Sequence, residues 1–277
     1  WQQLTRLLRC NADTEYGRSH GFGGIASYAE YRERVPVVAY DDLRAHITRI
    51  AAGASGVLTH EAPVAFEETG GSSGGAKLVP YTASALDAFR RALLPWLDDV
   101  VTHYPAVASG KSYWAISPAT RARRTSISGT PIGLESDAAY FGAALAHLLP
   151  PTLAVPPAVG ALTSIDAWRD ATCAHLLACE ELALISVWSP TFLLDLLEHM
   201  RRHAERLVML ANLNGARAGL VRDALRANPP DYLALWPSLS PISCWDQASS
   251  RVPANELRSL DRKSTRLNSS HVSESRM

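Results

Sequence analysis

The nine residues from Thr69 to Lys77 combine four glycines, three hydroxyl side chains and one lysine in a single turn-forming stretch. Glycine adopts left-handed backbone angles and lets main-chain N–H groups approach an anion closely. Hydroxyl groups add hydrogen-bond donors, and the lysine adds a point charge. Together these residue types indicate a loop that holds phosphate groups, and a nucleoside triphosphate is the ligand that suits it.

Two familiar glycine-rich phosphate loops have fixed spacings, and this loop matches neither. A Walker A loop places lysine directly after its last glycine, whereas here Ala76 separates Gly75 from Lys77. The dinucleotide-binding spacing G-x-G-x-x-G is also absent. The loop instead resembles that of adenylate-forming enzymes: two small residues, glycine, two hydroxyl residues, a small residue, any residue, a small apolar residue and lysine.

The segments on either side of the loop have the pattern of strands. Ala65-Phe66 ends one short apolar segment, Leu78–Tyr81 forms another, and Ser84 begins a long predicted helix. A flexible Gly/Ser linker is the alternative interpretation of the composition. A tight connection between two strands favours a binding loop over a spacer.

The whole chain has the composition of one large globular domain, or of part of one. It contains 277 residues, 47% of them hydrophobic, with Lys+Arg and Asp+Glu equal at 27 each. With this balance the protein has no overall positive electrostatic field to attract polyanions, which predicts no nucleic-acid partner. The four cysteines form no C-x-x-C pair, which predicts reduced, mostly buried thiols. The apolar runs are too short for a bilayer and no signal pattern begins the chain, so we expect a cytoplasmic protein without a membrane partner.

Strands alternate with helices along the sequence, and this order predicts an α/β architecture with some parallel pairing. Pro95 is expected to kink or restart the long helix that begins at Ser84. Pro190 is expected in the first turn of a helix capped by Ser189. The predicted helices span residues 2–11, 41–50, 84–101, 137–149 and 166–180, with others after 189 and before 229, and the later strands span 113–116, 182–187 and 241–245.

Several short motifs, distributed over most of the chain, together resemble one known family. They are Asn11–Gly17, Tyr28 and Tyr31, Val35–Val37, Tyr40–Leu43, the glycine loop, Val187–Phe192 and Ser243–Trp245. On these motifs the chain resembles the Gretchen-Hagen-three (GH3) family, the auxin-responsive-promoter acyl-acid amido synthetases, in its bacterial form. The resemblance covers residues 4–258 and is more specific than the loop alone.

The resemblance implies a fold and a reaction. Such enzymes belong to the luciferase-like, adenylate-forming superfamily, with a large N-terminal α/β domain of mixed and parallel sheets covered by helices and a small mobile C-terminal domain. They use ATP and Mg²⁺ to convert a carboxylic acid into an acyl adenylate, which an amine, commonly an amino acid, then attacks. The first step requires alignment of two anions and neutralisation of phosphate charge more than covalent help.

The same resemblance assigns roles within the loop. Ser72 and Ser73 would donate hydrogen bonds to the ATP phosphates, and Thr69 would contribute at the start of the loop. Lys77 would complete it, with Lys77 and Ser73 as the catalytic residues. The four glycines would supply backbone N–H groups and geometry: Gly70, Gly71, Gly74 and Gly75. Many family members carry a hydroxyl residue where this chain has Gly70, and we still expect binding because backbone donors dominate such loops.

Residues 1–260 would form part of the N-terminal adenylation domain. The family's adenine motif, ribose motif and C-terminal domain are expected beyond Trp245 and are absent, so the chain as given is expected to be inactive. Residues 261–277 are polar, lack any helix or strand period and resemble translated cloning read-through. An ordinary disordered tail is the alternative.

Other residues admit both a functional and a structural interpretation. Trp96 and Trp114 could line an apolar pocket for the acid, although core packing explains the same residues. His199 and His203 have a chelating spacing, but the arginines around them favour a solvated basic face, and no metal site is predicted. The run at residues 121–124 is expected to be an exposed loop and residues 128–133 a turn.

Two other functions stay open from sequence alone. One keeps the adenylation step and transfers the acyl group to a thiol such as coenzyme A. The other is a homologue that binds a nucleotide or an acyl ligand without turnover, which the intact loop with Lys77 does not favour.

Overall fold

The computed structural model describes residues 1–69, 77–114, 124–133 and 150–260. Residues 70–76 of the predicted phosphate loop, most of the basic run at 121–124, the predicted helix at 137–149 and the segment 261–277 lie outside the described residues. The chain divides into two compact units. The first contains Trp1–Phe89 and Arg123–Glu135, and the second contains Arg90–Ala122 and Ser136–Met277.

The described helices occur throughout both units. Their bounds are α1 Gln2–Cys10, α2 Glu15–Ser19, α3 Tyr28–Arg34, α4 Tyr40–Ala51, α5 Ala83–His103, α6 Ala106–Ser109, α7 Ile165–Ala178, α8 Pro190–Arg202, α9 Ala204–Leu210, α10 Gly215–Arg226, α11 Tyr232–Leu235 and α12 Arg251–Leu260. Short 3-10 turns lie at Phe22–Gly24, Pro150–Thr152, Pro157–Ala161 and Ala248–Ser250. The described strands are β1 Pro63–Thr69, β2 Lys77–Thr82, β3 Lys111–Trp114, β4 Arg124–Thr125, β5 Pro131–Ile132, β6 Leu182–Ser186 and β7 Ile242–Ser243.

Most sequence-predicted elements are present, and two expectations need correction. Pro95 was expected to kink or restart the helix, and the restart is wrong because α5 continues through Pro95 as one helix. Burial of Leu93 and Val100 on the flanking turns offsets the hydrogen bond that Pro95 cannot donate. Pro190 begins α8 as predicted, but the Ser189 side chain makes no capping bond. Helix α12 was not predicted, because only Ala254 and Leu257 of its residues are buried and the apolar signal is short.

The first unit contains a mixed four-stranded sheet in the order β2-β1-β5-β4. Strands β1 and β2 are antiparallel, β1 and β5 are parallel, and β4 and β5 are antiparallel. Phe66 on β1 is fully buried and packs in a small core with Ile50, Val57 and Ile132. Because β4 ends at Thr125 and β5 begins at Pro131, the predicted turn at residues 128–133 lies mainly in the connection between these two strands. This sheet holds the two strands that flank the glycine loop.

The second unit contains a parallel three-stranded sheet in the order β3-β6-β7. Leu182–Ile185 on the central strand are buried, as expected where both faces of a parallel sheet are covered. Buried residues from α7, α8, α9 and α10 complete a large core around this strand. The two sheets, one mixed and one parallel, agree with the predicted α/β class.

Gly17 in α2 lies where no larger residue fits. A Cβ atom at this position would be 2.0 Å from the Asn11 carbonyl oxygen and 2.9 Å from Thr14 Oγ1. We expect Gly17→Ala to lower the free energy of unfolding by about 2–3 kcal/mol, measured by urea denaturation, because the backbone must shift. Gly219→Ala is the matched control, because nothing lies within 4 Å of its added methyl group. The control should stabilise α10 by about 0.5–1 kcal/mol, and equal urea midpoints for the two variants would contradict the packing argument.

The four cysteines are free, and Cys173 and Cys244 are buried while Cys10 is exposed. Burial raises the pKa of the Cys173 thiol to about 12. The folded state therefore disfavours the thiolate, and this stabilising contribution is present below the unfolded pKa of about 8.5 and declines as pH rises above it.

Cys173 should consequently steepen the loss of stability in alkali. We expect the wild-type free energy of unfolding to fall by about 2 kcal/mol more than that of Cys173→Ala between pH 7.5 and pH 10. Urea denaturation of both proteins at the two pH values measures this difference. Parallel pH dependences would show that the Cys173 thiol ionises equally easily in both states.

Candidate functional site

The stem of the predicted phosphate loop is an antiparallel hairpin. Thr69 ends β1, Lys77 begins β2, and these two residues are paired across the hairpin. The remaining predicted loop residues, Gly70, Gly71, Ser72, Ser73, Gly74 and Gly75, lie outside the described residues. The structure therefore places both ends of the loop side by side, as a tight binding loop requires and an extended spacer does not.

Tyr40, the first residue of α4, contacts β2 directly beside Lys77. Its hydroxyl donates a hydrogen bond to the Leu78 carbonyl oxygen at 3.2 Å and accepts one from the Leu78 N–H at 2.9 Å. The Lys77 ammonium nitrogen lies 5.4 Å from the centroid of the Tyr40 ring, within the range of a cation–π interaction. In the sequence, Tyr40 is only one member of a motif, and nothing beside it indicates this role. Its partner is 38 residues away, and no local pattern reveals such a contact.

Two ion pairs border the same hairpin. Arg44 pairs with Asp41 on the first turns of α4, and its guanidinium also lies 5.4 Å from the Tyr40 ring centroid. The hydrogen bond from Arg44 is the main cause that lowers the pKa of Asp41, and the charge of Lys77 adds to it. On the other side, Arg124 donates to both carboxylate oxygens of Glu68 at 3.1 and 3.2 Å. Cationic groups therefore lie on both sides of the hairpin stem.

Trp96 and Trp114, predicted to line an acyl pocket, are in contact within the second unit. Their ring centroids are 5.9 Å apart with the ring planes at 74°, an edge-to-face arrangement. Trp114 Nε1 donates to Ser112 Oγ at 3.1 Å, whereas Trp96 Nε1 is buried with no hydrogen-bond partner among the described residues. A buried donor without a partner is costly, and a ligand oxygen would satisfy it.

A second tryptophan pair lies at the carboxyl ends of β6 and β7. Trp188 and Trp245 are 60% and 42% exposed, and their rings are stacked with centroids 5.9 Å apart and planes at 20°. The backbone N–H of Trp245 donates to the Trp188 carbonyl oxygen at 3.0 Å. Trp114 is the last residue of the neighbouring strand β3. Open α/β sheets bind ligands beyond the carboxyl ends of their strands, so this edge is a candidate ligand surface.

The pairing of Trp188 and Trp245 was not predicted from the sequence. The available signal was positional, because Trp188 directly follows the predicted strand 182–187 and Trp245 ends the predicted strand 241–245. Carboxyl ends of adjacent parallel strands lie at the same edge of a sheet. Which strands are adjacent depends on tertiary structure, and this information was missing.

The histidines with chelating spacing form part of a polar network. His199 Nε2 lies 2.8 Å from Asp170 Oδ1, and the His199 and His203 rings are 4.5 Å apart. Asp170 also pairs with Arg206. Burial is the main cause that lowers the pKa of His199. Within the described ranges, no group of three potential ligands is arranged to hold a metal ion.

Glu198, next to His199, accepts hydrogen bonds from two arginines. Arg201 Nε and Arg202 Nε donate to its carboxylate at 2.8 and 2.5 Å. These hydrogen bonds lower the pKa of Glu198 to about 2. Glu198, Arg201 and Arg202 therefore form an internally paired charged cluster next to His199 in the sequence.

None of the described helices combines the length and the apolar character needed to cross a membrane.

Comparison with known proteins identifies similar sequences. The profile of the GH3 family N-terminal domain matches residues 2–210. Indole-3-acetic acid-amido synthetase GH3.8 of Oryza sativa subsp. indica is 37% identical over 114 residues, which are 40% of this chain and 19% of that protein. Indole-3-acetic acid-amido synthetase GH3.3 of Arabidopsis thaliana is 31% identical over 134 residues, 47% of this chain and 21% of that protein.

Comparison with solved structures gives the same fold. The AtGH3.15 acyl acid amido synthetase in complex with 2,4-DB superposes with a TM-score of 0.78 at 19% identity, over 93% of this chain and 49% of that chain. The chain thus spans about half the length of this solved structure. The match confirms the predicted fold class, an α/β domain with mixed and parallel sheets covered by helices.

Proposed function

Because the chain belongs to the GH3 family, whose N-terminal domain profile covers residues 2–210, we propose that this protein is an ATP-dependent acyl-acid amido synthetase. The proposed reaction activates a carboxylic acid as an acyl adenylate and transfers the acyl group to an amine, which we take to be an amino acid. The observation that carries the proposal is the antiparallel pairing of Thr69 with Lys77, which brings the two ends of the glycine-rich segment side by side.

The hairpin offers groups that suit the phosphates of ATP. Lys77 supplies a positive charge at one end of the loop, and the glycines supply backbone N–H groups without side-chain obstruction. Ser72 and Ser73 add hydroxyl donors, and Thr69 adds a third at the start of the loop. Donors fixed in advance stabilise the negative charge that develops on phosphate oxygens and cost no reorganisation during the reaction.

Mg²⁺ would enter with the nucleotide. This ion keeps several waters and is usually held by substrate phosphates with one or two carboxylates, and it would neutralise phosphate charge. A preformed cluster of three protein ligands is therefore unnecessary, and the described residues contain none.

In the first half-reaction, an oxygen of the substrate carboxylate attacks the α-phosphorus of ATP. A new phosphorus–oxygen bond forms as the bond to the leaving pyrophosphate breaks. Both reactants are anions, so the role proposed for Lys77 and Ser73 is to hold the phosphates and to offset their charge. In the second half-reaction, the amine nitrogen attacks the acyl carbon, loses a proton and displaces AMP.

The aromatic residues of the second unit suit the acid. We propose that Trp96 and Trp114 form an apolar wall for its body and that Trp96 Nε1 donates to a substrate oxygen. The support is the edge-to-face contact of the two rings and the buried Trp96 Nε1, which has no hydrogen-bond partner within the part of the chain that the structure describes. The exposed stack of Trp188 on Trp245 offers a further flat surface for an aromatic group. An acid with an aromatic or bulky apolar body is the substrate class that these surfaces favour.

We further propose that the protein works in the cytoplasm. Its four cysteines are free, including the exposed Cys10, as is usual in a reducing compartment. ATP and amino acids are both available there.

The proposed function is tested by acid-dependent exchange between ATP and labelled pyrophosphate. The assay is run on the 277-residue chain and on the full-length protein encoded by the complete gene. Indolyl, aryl and aliphatic acids are tested, with a control without acid. We expect exchange by the full-length protein with at least one aromatic acid, and amide formation when amino acids are added. Bound ATP without exchange for any acid would instead support a non-catalytic homologue.

A further inference from the structure

Strand β2, which begins with Lys77, is an outer strand of the described four-stranded sheet. Pro80 on this strand is paired with Phe66 and has no N–H to donate. In an antiparallel ladder, pairs that exchange hydrogen bonds alternate with pairs that do not. Because the Phe66–Pro80 pair is of the second kind, the Glu68–Leu78 pair is as well. The Leu78 N–H and carbonyl groups therefore face away from β1, toward the open side of the strand.

The Tyr40 hydroxyl occupies that open side. It accepts from the Leu78 N–H at 2.9 Å and donates to the Leu78 carbonyl oxygen at 3.2 Å, so one phenol oxygen satisfies both backbone groups. Tyr40 in turn belongs to α4, whose Ile47 and Ile50 are buried in the first unit. The backbone immediately after Lys77 is thus attached to a helix as well as to β1.

The Tyr40 ring also contacts the Lys77 side chain, with its ammonium nitrogen 5.4 Å from the ring centroid. A lysine at the end of an outer strand otherwise samples many rotamers, and ordering it costs about 2 kcal/mol of side-chain entropy. Contact with an aromatic face restricts those rotamers before any ligand arrives. The two features act on one residue, because the hydroxyl fixes its neighbouring backbone and the ring restricts its side chain.

We infer that Tyr40 is the positioning residue of Lys77 and pre-orders its ammonium group for a bound polyphosphate. The binding of a polyphosphate in this inference rests on the proposed function. The positioning of Lys77 by Tyr40 rests on the observed contacts. Tyr40 does not touch the reacting atoms in this proposal. It acts entirely through Lys77, so replacing Tyr40 should have no effect on ATP binding once Lys77 has been removed.

The chain contains three lysines, Lys77, Lys111 and Lys263, so reductive methylation with ¹³C-formaldehyde gives few NMR signals to assign. Methylation preserves the positive charge. We expect the Lys77 methyl signal to show a ring-current shift that disappears in Tyr40→Leu, while the Lys111 signal stays unchanged. Tyr40→Phe keeps the ring and should retain most of the shift. Tyr28→Leu is the matched control, because Tyr28 is exposed and stacks on Tyr31.

Titration with ATP then measures the functional consequence. Tyr40→Leu should weaken ATP binding about fivefold, in line with the loss of one exposed cation–π contact. In the Lys77→Ala background, Tyr40→Leu should cause no further weakening, because Tyr40 acts only through Lys77. A purely structural role would weaken binding equally in both backgrounds. Circular dichroism verifies that each variant is folded. If Tyr40→Leu does not fold, Tyr40→Met replaces it, because methionine also removes the ring.

The outcomes separate this inference from the proposed function. An unchanged Lys77 signal in folded Tyr40→Leu, or additive losses in the double variant, would overturn the positioning role whether or not ATP binds. If ATP moves none of the wild-type signals while Tyr40→Leu still moves that of Lys77, the contact stands and the ATP-dependent function fails. A Tyr40-dependent Lys77 signal together with non-additive ATP binding supports both.

Discussion

Replacement of Lys77 by alanine is expected to lower kcat/KM for acid-dependent ATP–pyrophosphate exchange by about 10²–10³-fold, the loss typical of removing one donor that stabilises developing charge. Lys77 is the lysine of the predicted phosphate loop and stands at its stem, paired with Thr69. Without its ammonium group, the charge on the phosphates that become the leaving pyrophosphate is neutralised less well. Ser73→Ala should have a smaller effect, because the backbone donors of the loop are retained.

Lys111→Ala is the matched control for Lys77→Ala. It removes a lysine of the second unit whose ammonium nitrogen donates to the Pro151 carbonyl oxygen. Exchange should stay within about twofold of wild type, since an exposed contact of this kind contributes at most about 1 kcal/mol to stability and none to the proposed site. Equal losses for both lysines would indicate a general effect of charge. Full activity of Lys77→Ala would remove the loop from the proposed mechanism.

Replacement of Trp236 by alanine should have the largest effect on stability, lowering the free energy of unfolding by about 3–5 kcal/mol. The side chain is 1% exposed and lies in the large core of the second unit. Its Nε1 donates to the Leu176 carbonyl oxygen at 2.9 Å. Alanine would leave a cavity and deprive a buried carbonyl group of this donor, and the two losses act in the same direction.

Urea denaturation followed by circular dichroism measures this effect. Trp236→Phe keeps most of the volume and removes the donor, so it should cost about 1–3 kcal/mol. Trp188→Ala is the control of equal chemical change, because Trp188 is 60% exposed, and its effect should be within about 1 kcal/mol. If Trp236→Ala unfolded at the same urea concentration as Trp188→Ala, burial of Trp236 in the core would be disproved.

The elements predicted best were those in which consecutive residues share the same burial, so that the sequence itself carries the pattern. A central parallel strand is covered on both faces, so Leu182–Ile185 are all apolar and mark β6 directly. The stem of the loop was predictable for a similar reason, because glycines separate two short apolar segments. The family resemblance was distributed over many such local motifs, and the matching profile over residues 2–210 confirms it.

The features that were not predicted depend on pairs of distant residues. Tyr40 and Leu78 are separated by 38 positions, and no residue beside either of them in the sequence indicates that the two are in contact. Trp188 and Trp245 come together only because β6 and β7 are adjacent in the sheet. The continuation of α5 through Pro95 likewise depends on burial of its flanking turns, which local propensity does not include. The roles of the loop residues themselves stay predictions.

Pro80 and the Tyr40 hydroxyl have a consequence for the behaviour of this protein at high concentration. An outer strand with unpaired N–H and carbonyl groups can recruit a strand from another molecule, which leads to aggregation. On β2, Pro80 offers no N–H, and both backbone groups of Leu78 are already occupied by Tyr40. The outer edge of β2 therefore resists edge-to-edge association between molecules.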